Sequence, residues 1–123
     1  IEQLKNADKI IAKHKINADF YNENILNSNK VKKIPQNPNS SSSAWIYTIH
    51  VKGRNKFEKY MIENGVFVNK VHIRNDVHPC FSDYRSNKLK NLDIFSKSYV
   101  SIPVGWWMKK KDLKYVTQLV NEY

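Results

Sequence analysis

Apolar side chains recur at alternating steps of three and four over residues 1–26, which is the period of a helix with one buried face. Neither proline nor glycine interrupts this stretch. Because the stripe is narrow and the helix is long, we expect it to pack against something larger than a loop, either another chain or a part of the protein outside this sequence. The members of the stripe are Leu4, Ala7, Ile11, His14, Ala18, Tyr21 and Ile25.

The helical period disappears over residues 27–43, where Pro35, Pro38, several asparagines and a run of four serines indicate a long loop or linker. Residues 44–51 then alternate β-branched and aromatic side chains, which predicts a strand covered on at least one face. We therefore divide the chain into a long helix (1–27), a Ser/Asn/Pro-rich loop (28–43) and a small C-terminal domain (44–123).

The rest of the small domain predicts further short elements. Gly53 ends the first strand, Asn64-Gly65 ends the helix after it, and Asn91 is a plausible cap for a later helix. The expected elements are helices over residues 54–64, 91–98 and 111–123 and strands over residues 66–73 and 99–103. Together they predict an α+β fold, in which a small three-stranded sheet carries helices on one face.

Length and composition narrow the class of protein. A chain of 123 residues fits one domain with a modest core. No apolar run approaches the ~20 residues that span a bilayer, and the start of the sequence lacks the apolar region of a signal peptide, so we expect no membrane segment. The single cysteine, Cys80, suits a reducing compartment, and we expect a cytoplasmic protein.

The formal net charge of +10 favours contact with polyanions but does not choose among them. The lysines are spread over five separate stretches rather than one stripe, and no aromatic RNA-binding motif is present. A solvated basic surface is the favoured interpretation, so we do not expect nucleic acid as a partner.

The polar loop at residues 71–81 follows the predicted strand 66–73, which is where a rigid scaffold commonly places ligand contacts. Arg74 can bind phosphate or carboxylate, Asn75 and His78 can bind hydroxyl groups, and Asp76 can orient a neighbour or accept a hydroxyl proton. With His72 at the strand end, this set suits a polyhydroxylated, phosphorylated ligand. The alternatives are an ordinary solvated loop, or pairing of Arg74 with Asp76 and turn formation by Asn and Asp.

Other chemistries find less support in the sequence. His72, Asp76, His78 and Cys80 lack the spacing of a zinc site, so we expect no metal. A thiolate–imidazole pair of Cys80 and His78 has no identifiable orienting group, and a structural cysteine is favoured. With three glycines, none in a glycine-rich run, no phosphate-binding loop can be built.

The tandem tryptophans Trp106 and Trp107 could stack on a base or a sugar ring. We favour a turn anchor, packed against the core or a partner domain. His50, inside a strand, is interpreted as a packed or edge histidine, and His14, on the helical stripe, as an interface residue.

The order of segments carries a family resemblance that no single motif does. The long helix over residues 1–22 is followed by the strand A-W-I-Y-T-I-H-V, a helix ending in E-N-G, the strand V-N-K-V-H, then His78, and finally I-P-V-G-W-W-M-K-K-K-D-L-K-Y-V. This ordered set resembles the sugar-nucleotide aminotransferases of the DegT/DnrJ/StrS family. The resemblance covers nearly the whole chain, which looks like the helix leaving the large domain and the small C-terminal domain of such an enzyme.

The resemblance implies a fold-type I enzyme that uses pyridoxal phosphate to move an amino group, usually from glutamate, onto a nucleotide-linked keto sugar. It also implies a homodimeric parent. The cofactor lysine, the acidic partner of the pyridine nitrogen and most phosphate contacts belong to the large domain of such enzymes, upstream of Ile1. No catalytic or cofactor-binding residue is therefore assigned here, and the chain alone is expected to be inactive and to bind no cofactor.

Within the polar loop, His72 matches the family's histidine at that strand end, and His78 matches the histidine after an H-Y-P-x-P-like loop. The middle of the loop departs from the family, because Arg74, Asn75 and Asp76 replace the proline-rich stretch. A substrate role for those three follows from side-chain chemistry alone.

Two alternatives stay open at the level of the sequence. The chain could be a free-standing basic α+β module that binds nucleic acid or another anionic partner through its lysines and aromatic side chains. It could also be a structural or dimerisation domain that associates through the helical stripe of residues 1–26.

Overall fold

The computed structural model describes residues 2–85 and 88–123. A 3₁₀ turn (Glu2–Asn6) leads into the long helix α1 (Ala7–Asn24). The sheet contains β1 (Val31–Lys33), β2 (Tyr47–Val51) and β3 (Tyr99–Ile102), in the order β1-β2-β3 with both pairs antiparallel. The remaining helices are α2 (Arg54–Glu63), α3 (Lys90–Ser98) and α4 (Lys110–Glu122).

Strand β2 organises the core because its side chains alternate strictly between two faces. Tyr47, Ile49 and Val51 are buried, whereas Thr48 and His50 are half-buried on the opposite face. The buried face meets side chains of α1, α2 and α4, which form one hydrophobic core with the sheet. Apolar burial of this kind is the main favourable term in folding.

Helix α1 enters this core only with its C-terminal half. Ala18, Tyr21 and Ile25 are buried, and the Tyr21 hydroxyl donates a hydrogen bond to the Pro103 carbonyl over 2.6 Å. Burial raises the pKa of Tyr21, so the hydroxyl remains a donor. The predicted stripe therefore packs against this chain's own sheet at one end, whereas at the other end Leu4 is 71% exposed.

Helix α4 closes the core as predicted. Its Asp112 side chain accepts a hydrogen bond from the Lys109 backbone N–H over 2.9 Å, which caps the helix start. At the C-terminal end of this helix, the Tyr123 ring packs edge-on against Phe57 of α2, with 5.0 Å between the ring centroids. The predicted apolar face is buried throughout, at Leu113, Val116, Leu119 and Val120.

The predicted strand over residues 66–73 is wrong in extent. Val66 and Val68 are buried as the alternation indicated, but pairing is limited to one bridge, in which Asn69 and Ser101 exchange two backbone hydrogen bonds of 3.2 and 2.8 Å. Beyond Asn69 the side chains are largely exposed and the chain leaves the sheet. Without further buried positions, nothing holds the register of a longer strand.

The third strand instead lies inside the predicted loop 28–43. Strand β1 is only three residues long and pairs with the C-terminal part of β2. Its entry is set by Ser28, whose hydroxyl accepts hydrogen bonds from the N–H groups of Lys30 and Val31. A strand with one buried side chain, Val31, is too short to show a period.

The α+β fold with a long N-terminal helix and a three-stranded sheet is confirmed, with two differences in detail. Helix α3 lies against the face of the sheet opposite the other helices, where His50 contacts the Phe95 ring edge-on at 5.1 Å and hydrogen-bonds the Ser98 hydroxyl over 2.8 Å. The interpretation of His50 as a packed histidine is thereby confirmed. Helix α3 also begins earlier than predicted, with Leu89 rather than Asn91 at its cap position.

Alanine substitution of two isoleucines, one buried and one exposed, tests which side chains form the core. Ile49→Ala should lower the free energy of unfolding by about 2–5 kcal/mol, because it deletes a fully buried side chain at the centre of β2. Ile62→Ala removes the same atoms from a side chain that is 52% exposed on α2, and it should change that free energy by less than about 0.5 kcal/mol. Urea denaturation followed by circular dichroism measures both, and equal losses would contradict this core.

Candidate functional site

The polar loop predicted as a ligand site is an exposed surface segment built from two 3₁₀ turns. The first turn spans Asn75–Val77 and the second Pro79–Tyr84. The His78 N–H donates to the Asn75 carbonyl over 3.1 Å, and the Phe81 N–H donates to the His78 carbonyl over 2.9 Å. Local backbone hydrogen bonds therefore shape this loop, with His78 at the junction of the turns.

Arg74 ties the loop together and to helix α3. Its Nε donates to Asp76 Oδ1 over 2.8 Å and its Nη2 donates to Asp76 Oδ2 over 2.5 Å, which is the paired geometry favoured by a guanidinium and a carboxylate. Its Nη1 donates to Asp93 Oδ1 on α3. Arg74 and Asp76 are half-buried in this arrangement, although most of the loop is exposed.

The electrostatics of this cluster follow from its hydrogen bonds. The bonds from Arg74 hold the pKa of the Asp76 carboxyl below its ordinary value. The bonds to Asp76 and then to Asp93 raise the pKa of Arg74 in turn. Both groups are therefore ionised at neutral pH, and the pair acts as a fixed brace.

The predicted site residues are distributed unequally around this brace. Asn75 is exposed on the first 3₁₀ turn, and exposed His78 directly follows that turn. His72 is exposed on the opposite side of Arg74 along the chain, and its ring meets Trp45 edge-on with 5.8 Å between centroids. The structure thus brings Arg74 and Asp76 together and leaves Asn75 and His78 facing outward.

Arg74 is mostly engaged within the chain. It uses three of its five N–H groups on the two aspartates, so the pairing weighed as the structural alternative is observed. Its proposed contact with a phosphate would have to use the remaining N–H groups. A substrate role for Arg74 therefore stays a prediction, and a positioning role is visible in the contacts.

Two residues of this region were missed by sequence reasoning. Asp93 lies 19 positions from Arg74 along the chain, and nothing in the helical pattern of α3 marks it as an ion-pair partner. Trp45 falls within the predicted strand 44–51, but it lies just before β2, contacts His72 and is 58% exposed. Only the observation that a basic loop residue needs a carboxylate partner could have pointed to Asp93.

Several large apolar side chains are exposed along residues 71–84, beside the polar ones. Ile73 and Tyr84 are 58% and 82% exposed, which is unusual for side chains of this size in a surface that stays in contact with water. A covering protein surface would explain such exposure. The other members of this exposed apolar set are Val71, Val77 and Phe81.

The tryptophan turn is anchored by its neighbours rather than by its indoles. Val104 and Met108 are buried on either side, whereas Trp106 and Trp107 are 50% and 68% exposed. The two indole rings meet edge-on at 6.0 Å. Trp107 folds over Gly105, where a Cβ atom would come within 2.3 Å of the ring, so a larger residue at this position would displace the indole.

The residues present do not fit pyridoxal phosphate as a cofactor of this chain alone. That cofactor requires a lysine amine held in a desolvated site with donors for its phosphate. No lysine among residues 2–85 and 88–123 is buried. The expectation that the chain binds no cofactor remains a prediction.

The described part of the chain contains no group of three or more His, Cys, Asp and Glu side chains arranged to hold a metal ion. Cys80 is exposed. None of the helices described here has the length and apolar character needed to cross a membrane.

Comparison with known proteins identifies close structural relatives. The sequence profile of the DegT/DnrJ/EryC1/StrS aminotransferase family matches residues 1–121. The sugar aminotransferase CalS13 from Micromonospora echinospora superposes with a TM-score of 0.91 and 28% identity over 97% of this chain. AtS13 from Actinomadura melliaura superposes with a TM-score of 0.92 and 28% identity over 98% of this chain.

A more distant relative shows the same fold. PseC from Helicobacter pylori, an aminotransferase involved in the biosynthesis of pseudoaminic acid, superposes with a TM-score of 0.86 and 14% identity over 98% of this chain. These matches cover 32%, 32% and 34% of CalS13, AtS13 and PseC, so the chain spans about a third of their length. Among curated protein sequences, none matches this chain.

Titration of Asp76 tests the brace. Its ion pair contributes stability above the ordinary carboxyl pKa of ~3.9 and loses it as the pH falls through the lower pKa of the folded state. Arg74→Ala should therefore raise the pKa of Asp76 toward that ordinary value, as measured by NMR of the carboxyl carbon. Arg54→Ala, which removes a cation paired with Glu58 instead, should leave it unchanged. An Asp76 that titrates alike in all three proteins would contradict the brace.

Proposed function

The chain belongs to the DegT/DnrJ/EryC1/StrS aminotransferase family, and we propose that it is the C-terminal part of an enzyme that transfers an amino group to a nucleotide-linked keto sugar. The family match over residues 1–121 carries this proposal. The sugar aminotransferase CalS13 and the protein AtS13, each of 28% identity, share the fold over nearly the whole chain, which supports it.

A larger parent protein is supported by the surface of α1. The 3₁₀ turn before α1 and the N-terminal half of the helix expose apolar side chains of the stripe, among them Leu4 at 71% and Ile11 at 37%. Such a stripe is stable in water only when another surface covers it. We propose that residues 1–27 link the small domain to a large domain in the parent, and that the parent is a cytoplasmic homodimer.

Pyridoxal phosphate supplies the carbanion chemistry of the proposed transfer when it is bound. We assign it to the large domain, because the described lysines of this chain are not buried. The chain alone is then inactive. Its contribution is to bind and orient the substrate that the large domain transforms.

The polar loop is the part proposed to meet that substrate. The brace from Arg74 to Asp76 and Asp93 removes freedom from the loop before any ligand arrives, which lowers the entropic cost of binding. Asn75 and His78 project outward from the braced turn and offer amide and imidazole groups to sugar hydroxyls. We propose that His72, at the other side, completes this surface.

Kinetics of the full-length enzyme test this assignment. Asn75→Ala should raise the KM for the nucleotide-linked sugar by about three- to tenfold, because one or two neutral hydrogen bonds are lost. The affinity for pyridoxal phosphate should not change. Asn29→Ala removes the same group from an exposed position before β1, away from the polar loop, and serves as the control. An unchanged KM in Asn75→Ala would remove Asn75 from the site.

Absorbance spectroscopy tests whether this chain holds the cofactor. Pyridoxal phosphate added to the 123-residue chain should give no internal-aldimine band beyond the weak signal of surface-lysine adducts, because no described lysine is desolvated. Free lysine at the same total amine concentration provides the reference spectrum. A band that disappears on substitution of one particular lysine would place the cofactor in this chain and contradict the proposed division.

A further inference from the structure

A cleft separate from the polar loop lies between α1, residues 34–44 and the first half of β2. Its volume is about 280 Å³, close to the lower end of small-molecule sites at ~300 Å³. Ala18 and Asn22 of α1 form one wall, and Ile46 and Thr48 belong to the strand side. The segment 34–44 forms the other wall.

The wall formed by the segment 34–44 is held to α1 by side-chain hydrogen bonds. His14 Nδ1 donates to the Ala44 carbonyl over 3.1 Å, and Lys15 Nζ donates to the Ser41 hydroxyl over 2.8 Å. The Ser42 hydroxyl accepts a hydrogen bond from the Ala44 N–H over 3.0 Å. Ala44 itself has φ +52°, a conformation that non-glycine residues rarely adopt. The segment therefore has a defined path, and His14 contacts its own chain here.

Three carboxamides reach the cleft with hydrogen-bonding capacity to spare. The Tyr47 hydroxyl donates to Asn22 Oδ1 over 2.7 Å, and Asn37 Oδ1 accepts from the Asn39 N–H over 2.9 Å. Within residues 2–85 and 88–123, the side-chain NH₂ groups of Asn22 and Asn37 have no partner, and neither end of the Gln36 amide has one. Such groups bind the oxygens of a ligand.

The Tyr47 hydroxyl fixes the orientation of the Asn22 carboxamide. Burial and the nearby Asp19 carboxylate raise the pKa of Tyr47 to about 12, so at neutral pH its hydroxyl remains the donor that orients Asn22. The orientation leaves the Asn22 NH₂ group available to a ligand.

The charge around the cleft argues against an anion. None of the residues that line it is charged, although the chain as a whole carries +10. An adjoining depression contains Asp19, and the cleft lies toward the C-terminal end of α1, where the helix dipole is negative. Lys15 lines the same depression as Asp19 and donates to Ser41, and Lys33 lines another adjoining depression and donates to the Asn22 carbonyl. A phosphate would therefore meet no cationic side chain among the described residues that line the cleft.

The remaining surface is apolar and suits the C–H face of a sugar ring. Ile34, Pro35 and Tyr47 line the cleft beside the carboxamides. Apolar surface combined with amides and hydroxyls, without charge, is the chemistry that recognises a ring bearing several hydroxyl groups. We propose that this cleft binds a neutral hexose unit, at a site distinct from the polar loop and independent of the proposed transaminase reaction.

NMR titration of the ¹⁵N-labelled chain tests the cleft with defined probes. Methyl α-D-glucopyranoside or N-acetyl-D-glucosamine should shift the side-chain amide signals of Asn22, Gln36 and Asn37, with a dissociation constant in the millimolar range. Gln36→Ala should weaken binding about three- to tenfold, because Gln36 is exposed and contributes only ligand hydrogen bonds. Gln118→Ala, at an exposed position of helix α4 away from the cleft, should leave the affinity unchanged.

Three results would overturn the proposal. The first would be the absence of any shift of those amide signals with either sugar at tens of millimolar. The second would be a shift caused by inorganic phosphate at a lower concentration than the sugars require. The third would be a Gln36→Ala variant that binds the sugars as tightly as the unmodified chain. The titration needs no cofactor, amino donor or large domain. Its failure would therefore leave the proposed aminotransferase function untouched, and a lack of transaminase activity in the parent would not affect this result.

Discussion

The attachment of α1 to the turn after β3 is the interaction on which the rest of the structure depends. Tyr21 donates to the Pro103 carbonyl, and the buried Asn17 amide donates to the carbonyls of Val104 and Gly105 over 3.2 and 2.8 Å. These carbonyls follow the last strand and would otherwise be buried without donors, at a cost of about 1–3 kcal/mol each. The Asn17 Oδ1 has no partner among the described residues, so the contact is favourable through its donors alone.

That attachment places two surfaces next to one another. Helix α1 forms a wall of the neutral cleft, and Ala44 of the opposite wall directly precedes Trp45, whose ring contacts His72. The contact of Trp45 with His72 therefore places the cleft beside the polar loop in space, although helix α2 lies between them along the chain. Each is stiffened separately, the cleft by His14 and Lys15 and the loop by the aspartates that hold Arg74.

The parts that sequence reasoning could predict are those with a repeating pattern. Helices α1, α2 and α4 and strand β2 each bury one face over several turns or pairs, so their period is visible. Strand β1 has one buried side chain, and the segment at Asn69 has one bridge, so neither offers a period to detect. Contacts between residues that lie far apart in the sequence cannot be detected from the local pattern of apolar and polar residues. Asp93 and the Arg74 guanidinium meet through tertiary structure, and only the local pair with Asp76 could be anticipated from the sequence.

Helix α1 also has a mechanical consequence. It spans Ala7–Asn24 without proline or glycine, a continuous rod about 27 Å long, and only its C-terminal half is embedded in the core. A straight helix that is held firmly at one end passes a rotation of its other end on to the domain that holds it. A domain bound to the exposed half of α1 would therefore move the sheet, the cleft and the braced loop together when the helix rotates. The hydrogen bond of Tyr21 to Pro103 fixes the helix to the sheet during such a rotation.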